Sequence, residues 1–343
     1  MMFYPGMVDT VKDALYVSRV ALVNSSNIPF SSDVVARTKS TKRRLASTVA
    51  LDLSEMSNGI LTAWSTAQAV VSVSGFDISI VETHKIVDFI NSKQTPGCEC
   101  WAETSDRLRD FHSPFISGWI FCAYAEIGIP VPEGALNTLL SEQQEAGWWS
   151  TFPVNRDRQY ASTYTTAWAL LGLLRQKQKG YINIEKRAAV EKALTRGAHW
   201  LLSVRDHARW KSYPYSVSKE SESISGLVLH VINQLLGEDA KQFNVEWLEK
   251  LPGRVILAGE AEDFYIEIPT PAGMAFDHWE QLKMPGLTVA TVDAYSSGNV
   301  FQRAKALRWL ENILDDESVS SSDARKEWWR AEVLYSLNYA IKQ

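Results

Sequence analysis

Two stretches of the chain, Phe115 to Ile129 and Tyr164 to Leu174, are apolar nearly all the way round a helical wheel. A helix apolar on every face is buried on every face, so other elements of the fold must surround each of them. The neighbouring stretches are one-sided instead. Leu136, Leu139 and Leu140 form one stripe; Val190, Leu194, Leu201 and Leu202 form another. Phe243, Trp247, Leu248 and Leu251 make a third, and Val300, Ala304, Leu307 and Leu314 a fourth. One-sided helices alternating with fully apolar ones describe two layers, an inner set wrapped by an outer set.

The alternation is periodic. Trp101, Trp149 and Trp210 each close a one-sided pattern and are followed 17, 18 and 16 residues later by a small residue, Gly118, Ala167 and Gly226. A hydroxyl residue precedes each small one: Ser117, Thr166 and Ser225. The same register reaches Gly59, Ala331 and Gly273, the last following Pro269 by four as Gly118 follows Pro114. The six anchors are spaced by 59, 49, 59, 47 and 58 residues, and a period of roughly 50 residues suits a helical hairpin with its loops. The fold expected is therefore all-α, an (α/α)6 toroid of six inner and six outer helices. An open superhelix would need polar capping repeats, and the last helix, Trp328 to Ile341, is no more polar than the others. Val8, Val11, Leu15 and Leu22 predict an extra N-terminal helix within residues 1–30, leaving 31–343 as a single toroid domain. Gly259 to Pro271 and Lys283 to Gly298 read as long loops.

Charge and cysteine content narrow the function classes. With 35 basic and 40 acidic residues interspersed and a formal charge of −5, the chain lacks the basic stripe of a nucleic-acid binder. Lys39, Lys42, Arg43 and Arg44 read as a solvated helix face. Three cysteines argue against a disulfide framework and for a reducing compartment. Neither a signal peptide nor an apolar run of about 18 residues is visible, so the expectation is a cytoplasmic protein without a transmembrane segment, for which peripheral membrane contact stays open.

The motif Gln143-x-x-x-Gly147-x-Trp149, followed by Ser162-Thr-Tyr-Thr-Thr-Ala-Trp-Ala-Leu-Leu-Gly-Leu-Leu174, resembles the Gln-Trp motif and inner helix of the terpenoid cyclase and protein prenyltransferase superfamily. The likeness is best over residues 80–236. It implies an α/α toroid whose central cavity opens where the inner helices begin and holds an isoprenoid-like or other anionic amphiphilic ligand. Fold does not by itself assign a reaction, and the departures from the family are specific. Where class II cyclases carry an Asp-x-Asp-Asp acid, Thr291-Val-Asp293-Ala294 keeps one carboxylate. Cys98-x-Cys100, Asp106, Asp110 and His112 are the nearest approach to the prenyltransferase zinc site, and a Cys-x-Cys pair without a second Cys/His pair does not predict zinc. No cofactor is expected, except Mg2+ alongside a bound diphosphate.

Loops before the inner helices would ring one mouth of such a toroid. Two of them share a pattern, Asp106-Arg107-Leu-Arg109-Asp110 and Asn155-Arg156-Asp157-Arg158-Gln159; the next offers Lys211, Lys219, Tyr213 and Tyr215. Guanidinium groups capture phosphate or carboxylate bidentately, and inner-helix N-termini would add a positive dipole end. Arg107, Arg156 and Arg158, with Trp149 and Tyr160 as aromatic walls, are the expected ligand-binding residues. The competing reading pairs each arginine with its neighbouring aspartate as an exposed ion pair. The candidates for acid–base work are His112, Glu222, Asp277 and Asp293, with Asp277 expected on a helix one turn beyond Gly273. The alternative function is a non-catalytic toroid acting as a protein-interaction or ligand-sensing module.

Overall fold

The computed structural model describes residues 32–54, 62–74, 76, 83–95, 99–101, 112–153, 156–207, 209–216, 220–240, 242–243, 246, 261–270, 273–282, 330–331, 334–335 and 337–338. These are mostly helical. In chain order they form α1 (Ser32–Ser54), α2 (Ala63–Val73), α3 (Thr83–Asn91), α4 (Pro114–Glu126) and α5 (Glu133–Glu142). After the two-residue strands β1 (Trp149–Ser150) and β2 (Ala161–Ser162) come α6 (Thr163–Gln178) and α7 (Ile184–Ser203). Strands β3 (Trp210–Lys211) and β4 (Glu220–Ser221) then lead into α8 (Glu222–Leu236), and β5 (Ala261–Thr270) and β6 (Gly273–Leu282) form a hairpin.

Helices α2, α4, α6 and α8 are the inner layer, each packed on the next in that order. Every residue of α4 from Pro114 to Ala125 is buried, and in α6 Arg175, Lys177 and Gln178 alone escape burial. Local chemistry starts them where the sequence suggests. Thr62 and Ser65 form a reciprocal capping box on α2, Pro114 opens α4, and the Ser162 hydroxyl accepts from the Thr165 N–H at the start of α6. The outer helices α3, α5 and α7 pack on α2, α4 and α6 respectively. They bury the expected stripes: Leu136 and Leu139 on α5, Val190, Leu194 and Leu201 on α7. Three of the small anchors, Gly118, Ala167 and Gly226, lie in buried inner-helix turns, and their smallness has a purpose. A Cβ on Gly118 would stand 2.3 Å from the Trp168 carbonyl oxygen, so α4 and α6 cross backbone against backbone.

Residues 330–338 return to the beginning of this array. The Arg330 guanidinium meets the Asp52 carboxylate of α1 through Nη2 at 2.8 and 2.9 Å. The Asn338 amide donates to the Ser72 carbonyl of α2 at 2.6 Å. Between them Tyr335 lies against the inner layer, its ring 5.5 Å from Trp119 and 6.1 Å from Trp168. Ala331 is fully buried in this helical segment, as an anchor residue should be.

One anchor is overturned. Gly273 begins strand β6, and Asp277 lies on that strand opposite Ile266, not on a helix. The stretch read as a loop, Gly259 to Pro271, is mostly β5. The physical reason is a period of two: Phe264, Ile266 and Ile268 alternate with Asp263, Tyr265 and Glu267, and Thr270 pairs with Gly273 across a two-residue connection. The N-terminal extension, Gly59, the Lys283 to Gly298 stretch and the Val300 to Leu314 stripe lie outside the described residues.

Candidate functional site

Trp149 and Trp210 each open a two-residue strand and Trp101 forms an isolated bridge with Gln94, and all three segments hang one repeat on the next. Trp101, Trp149 and Trp210 are fully buried, and their indole N–H groups donate backwards to the carbonyls of Ile90, Leu139 and Leu201, on the preceding outer helices, at 3.0, 2.8 and 2.7 Å. The hydroxyl residues before the anchors close the other side: Thr166 accepts from the Trp149 backbone N–H at 3.0 Å, and Ser225 from that of Trp210 at 2.9 Å. The glutamine of the motif is equally structural. Gln143 donates to the carbonyls of Gly147 and Ala193, both at 2.9 Å, and accepts from the Arg196 guanidinium. Gly147 turns at φ +106°, where a Cβ would also strike the Arg196 carbonyl.

The same lattice ties the N-termini of α4 and α6 to the loops of the following repeats. Ser113, just before α4, donates to the Thr151 carbonyl beyond β1 at 2.7 Å. Thr163, opening α6, donates to the Lys211 and Ser212 carbonyls at 2.6 and 3.1 Å. Thr151 in turn bonds the hydroxyls of Thr165 and Tyr213 at 3.2 and 3.0 Å. The β1–β2 loop and the β3–β4 loop therefore sit side by side, and two residues bridge them: the exposed Arg158 lays its guanidinium 3.8 Å above the Tyr215 ring. Arg156 is exposed in the same loop. Among the described residues neither arginine forms an ion pair, so pairing with Asp157 is not what holds them.

The remaining sequence candidates separate. Tyr160 is 7% exposed at the base of the Arg158 loop. Trp149 is not an aromatic wall for a ligand; its indole is sealed in the core by the bond to Leu139. His112 immediately precedes Ser113, and its imidazole is paired with Glu142 in the last turn of α5, both partly buried. Glu222 is the first residue of α8, where a carboxylate complements the helix dipole; its side chain lies outside the described residues, as do Arg107 and Asp293. Cys100 is disulfide-bonded, so its sulfur does not stand as a thiolate ligand for zinc. Cys122 is free and buried, its thiol pushed up to about 12 by desolvation. Among the described residues no group of three potential metal ligands gathers, and no helix is long and apolar enough to cross a membrane.

The interior of the inner layer holds what sequence reasoning missed. Trp119 and Trp168 stack with ring centres 3.7 Å apart, and Tyr335 covers them. His230, on α8, bonds the Tyr335 hydroxyl at 2.8 Å. It is 2% exposed, and burial, with the nearby Arg175 charge second, lowers its imidazole to about 3. It is therefore neutral near pH 7 and can accept a hydrogen bond from the Tyr335 hydroxyl. The sequence signal was a lone histidine inside the apolar run Leu227-Val-Leu-His230-Val-Ile. Comparison of the chain with protein-family models, with curated proteins and with solved structures finds no match.

Proposed function

We propose that the chain is a closed toroid of the terpenoid cyclase-like kind that binds an isoprenoid-like or other anionic amphiphile at the rim carrying Arg156 and Arg158. One observation carries this reading: Arg158 is exposed, free of carboxylate partners among the described residues, and fixed in place by Tyr215 from the next repeat. A cation held open by an aromatic face, rather than by an anion, keeps its donors available for a phosphate or carboxylate head. The N-termini of the inner helices at the same rim favour an anion further. Ring closure is supported by Arg330 on Asp52 and Asn338 on Ser72, which bring residues 330–338 to the first helices.

A second reading, a non-catalytic module that engages a protein partner, is favoured by the packing of Trp119, Trp168 and Tyr335. These rings leave little room for a long apolar tail at their level. The test is a thermal shift with farnesyl diphosphate, with and without Mg2+, on the wild type and on the Arg156→Ala, Arg158→Ala double variant. Stabilisation of the wild type that the double variant loses, at equal unliganded melting temperature, supports the amphiphile reading. If millimolar farnesyl diphosphate stabilises neither protein, that reading fails and the interaction module takes its place.

A further inference from the structure

Four aromatic side chains of the inner layer form one buried train. Trp119 on α4 and Trp168 on α6 stack with ring centres 3.7 Å apart and planes tilted by 28°. Tyr335 lies 5.5 Å from the first and 6.1 Å from the second, and the His230 ring of α8 lies 5.8 Å from Tyr335. None of the four is more than 5% exposed. Packing alone asks only for apolar rings here. It does not ask for two indoles whose N–H groups have no hydrogen-bond partner among the described residues, nor for an imidazole buried against a phenol hydroxyl.

These features divide the rings by what they do with charge. An indole that loses an electron becomes a radical cation, and the face of a stacked ring stabilises a cation beside it. With no acceptor at either Nε1, an oxidised Trp119 or Trp168 keeps its proton and is refilled by an electron from a neighbouring ring. Tyr335 is that neighbour. A phenol that gives up an electron becomes a strong acid, and it holds the vacancy only if its proton leaves with the electron. The Tyr335 hydroxyl is 2.8 Å from His230 Nε2, within reach for direct proton transfer. Burial keeps that imidazole neutral and open to a proton; it also makes His230 a weak base, which the far greater acidity of an oxidised phenol overcomes. Gln234, one turn along α8, contacts the same ring and holds it in place.

We propose that Trp119, Trp168, Tyr335 and His230 form a one-electron relay that takes an oxidising equivalent from a diffusible radical oxidant, of the carbonate-radical class, and stores it as a Tyr335 phenoxyl radical. The oxidant removes one electron from the tryptophan stack and leaves as its reduced anion. Tyr335 returns an electron to the stack, and its hydroxyl proton passes to His230 Nε2. The products are a neutral phenoxyl radical and an imidazolium, which together carry the single positive charge of the indole radical cation. The relay lies inside the inner layer and does not depend on the reading given to the Arg156 and Arg158 rim.

Flash oxidation of the whole protein with photogenerated tris(bipyridine)ruthenium(III) tests it, read by transient absorption and by electron paramagnetic resonance of samples frozen after the flash. The wild type should show an indole radical cation that converts into a tyrosyl radical, more slowly in D2O because a proton moves with the electron. Tyr335→Phe should leave the indole radical cation without a tyrosyl product. His230→Gln, which keeps a polar side chain but no base, should slow the conversion roughly a hundredfold. Near-ultraviolet circular dichroism checks that both variants retain the stack. The proposal is overturned if Tyr335→Phe yields as much tyrosyl radical as the wild type, since another of the 12 tyrosines then holds it. It is equally overturned if His230→Gln converts at the wild-type rate, or if the wild type shows no isotope effect, a result that needs no variant to fold.

Discussion

Gly118 and Gly172 meet backbone to backbone where α4 crosses α6: a Cβ on Gly172 would stand 2.6 Å from the Gly118 carbonyl oxygen and 2.8 Å from its Cα. The same crossing sets the stacked pair Trp119 and Trp168 face to face.

Gly118→Ala should therefore destabilise the protein. Alanine gains about 1 kcal/mol of helix propensity, but its methyl group meets the Trp168 carbonyl, which no side-chain rotation can move. Overpacking of this kind costs about 1–3 kcal/mol and more where backbone must shift, so the clash wins. A lowered urea midpoint and an altered near-ultraviolet dichroism from the Trp119–Trp168 stack are expected. Wild-type stability in this variant would show that the helices do not cross so closely.

Trp149→Phe should cost about 1–3 kcal/mol, the penalty of a lost buried hydrogen bond together with a small void. Because the indole is sealed against Leu139, any anion affinity at the rim should survive unchanged. Denaturant titration and a ligand titration on the same variant separate the two effects; a selective loss of affinity would restore Trp149 as part of a ligand wall.

Acid should weaken the fold through His230. The unfolded chain protonates this imidazole below about pH 6.5, whereas the folded chain does so only near pH 3. Between those limits the unfolded state binds the extra proton, so stability falls as pH falls, by at most about 1.4 kcal/mol per pH unit. Below about pH 3 both states are protonated and this contribution levels off. Urea midpoints taken between about pH 7 and about pH 4.5 should fall less steeply in His230→Gln than in the wild type. Parallel slopes would mean that His230 titrates normally in the folded protein.

The Asp52–Arg330 pair should show measurable coupling. Its side chains are 16% and 15% exposed and meet through Nη2 and Nε of the guanidinium, a geometry stronger than that of an open surface pair. A double-mutant cycle with Asp52→Ala and Arg330→Ala should return about 1–3 kcal/mol. Additive single mutants would place residues 330–338 elsewhere.

What was legible in the sequence is what repeats as side-chain chemistry. The buried tryptophans Trp101, Trp149 and Trp210, the hydroxyls of Thr166 and Ser225 that close on two of them, and the one-sided outer stripes recur in successive hairpins, so three copies are enough to set a register. Gly273 misled because a proline four residues before a glycine was read as the start of an inner helix, while the alternation from Asp263 to Ile268 was the stronger local signal. Lys42 was hidden by composition: four basic residues in six positions suggest solvent, and only the stripe through Leu45, Val49 and Leu53 shows that one of them faces inward. Trp149 was read as a wall because an aromatic residue near a rim fits either role until its N–H is given a destination. His230 and Tyr335 are 105 residues apart, and no local pattern joins them.

The position of Tyr335 also has a consequence for synthesis. It covers Trp119 and Trp168, yet it follows Trp119 in the chain by roughly 200 residues, which at about 5–20 residues per second is a wait of about 10–40 s at the ribosome. In the later part of that interval, once Trp168 and then His230 have been made, the stacked tryptophans lack their native cover and His230 the hydroxyl it bonds. Until Tyr335 is made, the nascent chain therefore leaves this aromatic pair without the ring that covers it in the folded protein.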